Sequence, residues 1–427
     1  MKGIKVLLLT GLLFICCVGC AGAPDALSEV QPEQAPDNTV TLRLFAWQDE
    51  GADLALLTEA YKKLHPEIKF DIRLTNITEY TQLMMAVKDG TKQGDAVFFP
   101  NPAEACVWQN KGVLRDITAE LQALNYEEHY DDWCPQDALG CKNVMLPYRM
   151  SRWAVYYNKK IFDAAGVPYP DGDWTWETYA QTAQQVTGRF NGKLCYGSMS
   201  FNPDSSWWRI PARTEGANNP FDESQLSAFR RALEWNYHLT YDLKVQAPYS
   251  ERTGNSGFNY SATFLEGTTA MLIGGDWNIK IMNDAIAAQG LDFDYDLAPM
   301  PHWEGKKSWV IRDPSVMAIL DKTEHPAETL SFMQFVCGEA GAQVLAANSV
   351  LPAWNTPELQ TLFQQSVKVP AHVANLYQEG EVSGVPAAVQ YTAAMEDISS
   401  EAAMYLLQEQ TIDQTFANIQ AHLKALG

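Results

Sequence analysis

The side chains best placed to do chemistry in this sequence are aromatic rings set beside acids and arginines. Thirteen tryptophans occur, and several follow runs of strand type. "FAWQDE" supplies Trp47 and Asp49, "LPYRMSRW" supplies Tyr148, Arg149 and Arg152, and "VIRDPS" supplies Arg312 and Asp313. Trp277 follows Gly274, Gly275 and Asp276; Trp303 lies in "PMPHWEG" and Trp354 in "LPAW". "VFFPN" ends on Asn101. "SSWWRIP" sets Trp207 beside Trp208. Adjacent side chains point apart, so at most one of the pair, taken here as Trp208, meets a ligand. An indole face suits the apolar C–H face of a pyranose ring, and Asp, Asn and Arg suit its hydroxyl edge. Plainer roles compete: Trp47 can cap the core, Asn101 can cap a helix, and Tyr80 shares an apolar face with Leu83 and Met84. Arg149 or Arg152 can form a salt bridge that fixes geometry, and Trp303 and Trp354 lean toward a structural role.

Catalytic patterns are missing. No G-x-S-x-G, H-E-x-x-H or G-x-x-x-x-G-K-[ST] occurs, and the seven histidines are scattered. With 52 acids, a pair of neighbouring carboxylates is inevitable and therefore uninformative about glycoside hydrolysis. "DGDWTWE" lacks the ligand order of a calcium loop. No enzyme activity, metal or cofactor is expected.

The elements that must position these residues alternate. Val40, Leu42 and Leu44 alternate with Thr39, Thr41 and Arg43, which predicts a strand. A helical face follows at Leu54, Leu57, Ala60, Tyr61 and Leu64, stopped by Pro66. "IKFDIRL", "ITEYTQLMMAVKDG" and "DAVFF" continue the rhythm as strand, helix and strand. This predicts an α/β sheet covered on both faces, with ligands outside the strand C-terminal ends. "FLEGTTAMLIGGDWN" predicts a buried strand over Thr269–Ile273 and two glycines that permit close backbone approach. Asp276 is then expected to cap a helix bearing Ile279, Met282 and Ile286. "HPAETLSFMQFVCGEAGAQVLAAN" and "AAMEDISSEAAMYLLQEQTIDQTFANIQAHLKAL" predict long amphipathic helices.

Composition sets the frame. A chain of 427 residues, 46% hydrophobic, exceeds one average domain, so two lobes are expected. The formal charge of −21 argues against nucleic acid and anionic lipid heads as partners. Lys2 and Lys5 precede an apolar run too short to span a membrane. "CVGC" then resembles a bacterial lipobox with Cys17 where Leu is usual; it implies a signal peptide over 1–19 and lipidation of Cys20. Cleavage near "AGA" is the alternative. Residues 20–38, rich in proline and acids, read as a flexible tether. Cys134 and Cys141 flank six residues, a spacing open to a disulfide or to two free thiols.

"AVYYNKKIF", "YPDGDWTWETYA", "FLEGTTAMLIGGDWN" and "TLSFMQFVCGEAGAQVLAANSVLPAW" together resemble the family 1 extracellular solute-binding proteins, the maltose-binding-protein-like receptors of ABC sugar importers. The pattern rests on Phe264, Gly267, Ala270, Met271, Gly275 and Trp277, with Tyr157, Asn158 and Lys159 upstream. The resemblance covers the chain from about Thr39 onward. It implies a two-lobed periplasmic-binding-protein-like α/β fold (type II), with the ligand in a cleft between lobes. Crossings are expected near Met150, Pro299 and Leu351. The first lobe is then 39–150 plus 299–351, and the second 151–298 plus 352–427. It also implies an outward-facing, membrane-anchored monomer that binds carbohydrate, of oligosaccharide size, and docks on ABC permease subunits; a carbohydrate-sensing surface lipoprotein would share fold and cleft. Trp47, Asp49, Asn101, Tyr148, Arg149, Trp208, Trp277, Trp303, Arg312, Asp313 and Trp354 would line the cleft. Two departures stand out: Gly94 replaces a usual proline, and Arg312–Asp313 bring charge to a normally bland strand.

Overall fold

A computed structural model describes residues 39–124, 130, 143–200, 207–253, 259–384, 386 and 390–426. Cys20, Cys134 and Cys141, with the signal peptide and the tether, lie outside these. Strand β1 (Val40–Trp47), helix α1 (Gly51–Leu64), β2 (Ile68–Thr75), α2 (Ile77–Lys88), β3 (Ala96–Phe99) and α3 (Pro102–Asn110) follow the predicted alternation. β1 pairs in parallel with β2 from Val40↔Ile68 to Trp47↔Thr75, and with β3 at Leu44↔Ala96. The α1 face at Leu54, Leu57 and Tyr61 is buried against Leu42, Leu44 and the apolar side of two later helices.

Strand β4 (Met145–Asn158) organises the rest. All fourteen of its residues are buried. The other strands are β5 (Gly188–Phe190), β6 (Lys193–Ser200), β7 (Thr269–Gly275), β8 (Tyr295–Ala298), β9 (Trp309–Ile319) and β10 (Glu381–Ser383). The first half of β4 runs antiparallel to β9, from Met145↔Ala318 to Arg152↔Arg312. From Trp153 onward it changes partners, pairing with β7 on one side (Trp153↔Gly275) and β8 on the other (Val155↔Ala298). β9 in turn joins β3 at Ala96↔Ile319 and β10 at Glu381↔Trp309. The sheet order is β2-β1-β3-β9-β4-β7-β6-β5, so β4 and β9 are common to two strand groups. Met150 donates its N–H to the carbonyl of Leu351 (3.4 Å), which brings a third segment to the same place.

Three details differ from expectation. The first C-terminal stretch is two helices, Pro326–Cys337 and Glu339–Ala347, because the chain turns extended at Gly338. The second is also two, Tyr391–Leu406 and Ile412–Leu426. Cys106 is disulfide-bonded, which its sequence context did not signal, while Cys195 and Cys337 are free and buried. Gly94, the departure from the family pattern, is forced by packing: a Cβ there would lie 2.2 Å from the Phe45 ring.

A methyl group at Gly197 in β6 would lie 2.0 Å from the main-chain oxygen of Ala183 in the helix Trp176–Gln185. Backbone cannot swing aside as a side chain does. Gly197→Ala is therefore expected to lower unfolding stability by about 1–3 kcal/mol, read from the urea midpoint; an unchanged midpoint would contradict this strand–helix contact.

Candidate functional site

The middle of β4 is the floor. Tyr148 donates its hydroxyl to Glu50. Arg149 donates to Glu50 Oε2 at 3.1 Å and to Asp53 Oδ2 at 2.8 Å. Glu50 ends the short turn after β1, and Asp53 sits in the first turn of α1. All four side chains are buried. Burial pushes the Asp53 carboxyl up against the opposing pull of Arg149, and pushes the Tyr148 phenol well up. Burial alone would lower Arg149; the charges of Glu50 and Asp53 more than offset that and hold its guanidinium ionised.

The second wall comes from β7 and the helix Trp277–Gln289. Asp276 does not cap that helix, contrary to expectation. Its Oδ1 instead accepts the Arg152 N–H at 3.0 Å, and its own N–H donates to the Arg152 carbonyl at 3.0 Å. The reason is register: Asp276 follows Gly275, which already faces Trp153, so its nearest unsatisfied donor lies on β4 and not in the helix. Tyr156 donates to the Gly275 carbonyl at 2.7 Å. A Cβ at Gly275 would lie 1.9 Å from the Trp277 ring, so the glycine is what lets the indole fold back over the strand. Trp277 is half-buried and meets Trp153 edge to face, at 5.4 Å and 90°. A side-chain hydrogen bond joins it to Tyr260. Burial first, and then the negative charge of Asp49, raise the Tyr260 phenol, so the exposed Asp49 after β1 lies within electrostatic reach of this aromatic group.

β9 closes the floor. Asp313 accepts the Trp153 indole N–H at 3.0 Å and a two-pronged contact from Arg213, at 3.0 and 2.6 Å. Arg213 also donates to the Ser383 carbonyl at 2.7 Å. Arg312 lines a small recess with Arg152, Trp153 and Gln378, and the Arg152 guanidinium lies 4.7 Å over Tyr377.

Asp49, Tyr148, Arg149, Trp277, Arg312 and Asp313 thus gather around β4 and β9. Trp47 flanks them at the end of β1, stacked on Tyr80 at 5.2 Å; its indole N–H is buried with no partner. Other candidates sit elsewhere. Asn101 caps α3, accepting the Glu104 N–H at 3.1 Å. Trp208 is 1% exposed in a helical core against Phe229, so neither face of its ring is open. Trp303 is buried among Trp176 and Trp235 and donates to the Pro211 carbonyl at 2.9 Å. Trp354 is half-buried, edge-on to Tyr130. Glu50, Asp53, Trp153, Arg213 and Tyr260 escaped the sequence reading, and Asp276 was read as a helix cap. Among the described residues no cluster could hold a metal ion, and no helix is long and apolar enough to cross a membrane.

A strand shared by two groups, with an aromatic wall and a charged floor where it changes partners, defines the two-lobed periplasmic-binding-protein-like class. The chain belongs to the bacterial extracellular solute-binding protein family, whose model matches residues 46–343. Solved structures agree on the fold. A sugar transporter from Rhizobium etli, in an open conformation, is 24% identical with a TM-score of 0.73, covering 91% of this chain and 100% of that one. An ABC substrate-binding protein from Listeria monocytogenes, in complex with cycloalternan, is 19% identical (TM-score 0.74; 91% and 98% covered). The sugar-binding protein MalE from Xanthomonas citri is 16% identical (TM-score 0.70; 91% and 96% covered). No curated protein matches the chain.

Asp276 is 3% exposed, and burial raises its carboxyl to about 6 from 3.8. The folded state therefore holds this proton more tightly than the unfolded chain, and stability falls as pH rises from about 4 through about 6. Asp276→Asn keeps an acceptor oxygen for Arg152 and removes that loss. Its stability relative to the natural protein should rise by about 2 kcal/mol between pH 4 and pH 7. Urea unfolding at the two pH values checks this; parallel pH profiles would refute it.

Proposed function

We propose that the protein captures a carbohydrate, of oligosaccharide size, between the two strand groups joined by β4, and delivers it to an ABC importer as a monomer. The observation that carries this reading is the Trp153–Trp277–Tyr260 aromatic wall, with the exposed Asp49 within electrostatic reach of Tyr260. Indole faces take the C–H face of a sugar, and the exposed Asp49 takes hydroxyls. The family and the named sugar-binding neighbours support it. The lobes are proposed as 39–150 plus 299–351 and 151–298 plus 352–427. The change of partners at Arg152–Trp153 and the Met150–Leu351 bond support crossings near Met150 and Leu351. Closure would be a hinge motion driven by ligand contacts on both sides of β4. Lipid on Cys20 would hold the protein outward-facing at the membrane, with residues 20–38 as tether.

The site needs no catalytic group for this role. A binding sugar at one hundred times its Kd should stabilise the fold by about 2.7 kcal/mol, seen as a thermal shift. The same sugar should be recovered intact; hydrolysis products would replace the binding reading with an enzymatic one.

Trp277→Ala should weaken sugar binding roughly 10- to 100-fold, the loss of one buried ring face, while the protein stays folded. Calorimetry with an intact far-UV spectrum is the check, and an unaltered Kd would remove Trp277 from the site.

A further inference from the structure

Resting on the proposed lobes, we infer that the first turn of α3 and the start of the helix Tyr391–Leu406 form a clasp between them, outside their shared strands, that sets how tightly a ligand is retained. α3 belongs to the first lobe, 39–150 plus 299–351. Its Ala103 is nonetheless 1% exposed, inside an apolar cluster whose other buried members, among them Trp208, Phe229, Tyr391 and Met395, all belong to the second. One residue later, Glu104 Oε1 accepts the Thr392 hydroxyl at 3.2 Å, across 288 positions of chain. Local structure fixes both halves. Asn101 closes the first turn of α3 by accepting the Glu104 N–H at 3.1 Å, and Pro102 opens the helix. Opposite, Arg209 donates to the Tyr391 hydroxyl at 2.7 Å.

A hinge leaves two lobes free to part unless a contact elsewhere holds them. Seating an apolar side chain of one lobe in the core of the other is such a contact, because parting returns that surface to water. Apparent affinity scales with the fraction of molecules already in the binding-competent arrangement. A clasp formed before the ligand arrives therefore raises affinity without touching the ligand.

Glu104 makes the clasp sensitive to protons. Burial raises its carboxyl, the Thr392 hydroxyl opposes that, and the negative charge of Glu396, one turn beyond Thr392, raises it again. Lys111, just past the end of α3, lowers it. On α2, burial and then the Glu104 charge raise the Tyr80 phenol. Parting the lobes separates Glu104 from Glu396, so the clasped form holds this proton more tightly. The clasp then strengthens as pH falls and weakens as pH rises through the raised Glu104 value.

Small-angle scattering on the purified protein, with no sugar added, tests this at about pH 5 and about pH 8. The natural protein should be the more compact at the lower pH. Ala103→Arg cannot seat in the cluster and should show the larger radius at both, with an unchanged far-UV spectrum. Glu104→Gln keeps an acceptor for Thr392, removes the repulsion by Glu396, and should be compact at both. If Ala103→Arg does not fold, the exposed Glu396→Lys decides, since it turns that repulsion into attraction and should also be compact at both. A folded Ala103→Arg with the radius of the natural protein overturns the clasp, as does a pH response that Glu104→Gln and Glu396→Lys leave intact. Calorimetry with maltotriose, cellotriose, mannotriose and xylotriose keeps the two readings apart. A trimer that binds the natural protein should bind Ala103→Arg about tenfold or more weaker. Equal affinity overturns the clasp alone, and binding by none of the four overturns the oligosaccharide reading while the scattering still decides the clasp.

Discussion

A strand buried on both faces along its whole length must find a hydrogen-bonding partner for every peptide group it carries, because an unpaired buried group costs as much as a lost bond. β4 meets that demand over fourteen residues by having β9 on one side early and β7 and β8 later. The exchange at Arg152–Trp153 is where two strand groups become one sheet. It is also where the main chain alone does not suffice. Asp276 supplies an acceptor for the Arg152 N–H, and Tyr156 and Asn278 both donate to the carbonyl of Gly275. The site is built from the side chains that complete this junction.

The same junction explains the charge placed there. Arg149 points from β4 toward acids at the start of α1, and burying one guanidinium with two carboxylates is costly in isolation. The cost is offset by direct bonds to both acids and by the Tyr148 hydroxyl on Glu50. Such a cluster fixes the direction in which the turn after β1 leaves the sheet, and with it the position of Asp49. Rigid backbone at the floor and open aromatic surface on the wall are complementary halves of one design.

The sheet was legible in the sequence wherever one face alternated or a helix stripe was complete. Val40, Leu42 and Leu44 announced β1, and Leu54, Leu57 and Tyr61 announced α1. The full extent of β4 was not legible, because a strand covered on both faces shows no alternation. Trp277 was singled out by the glycine pair before it, and both glycines are forced by packing: a Cβ at Gly275 would collide with the Trp277 ring and one at Gly274 with the Asn278 amide. Glu50 and Asp53 were invisible because acids at the start of a helix are ordinary, and their partner lies 96 residues beyond Asp53. Asp276 was misread for a similar reason. Local grammar made it a cap, while the tertiary fold offered it a main-chain N–H on the neighbouring strand. Trp208 shows the converse, an indole taken as ligand-facing whose helix neighbours enclose it.

The edge-to-face pair of Trp153 and Trp277 has an optical consequence. Two indoles 5.4 Å apart are close enough for their electronic transitions to couple. Trp153 is pinned by Asp313, whereas Trp277 is the half-buried partner. Any molecule that settles on Trp277 changes the polarity around one member of a coupled pair and not the other. The protein therefore carries its own spectroscopic reporter, at the place where occupancy matters most and with no label attached.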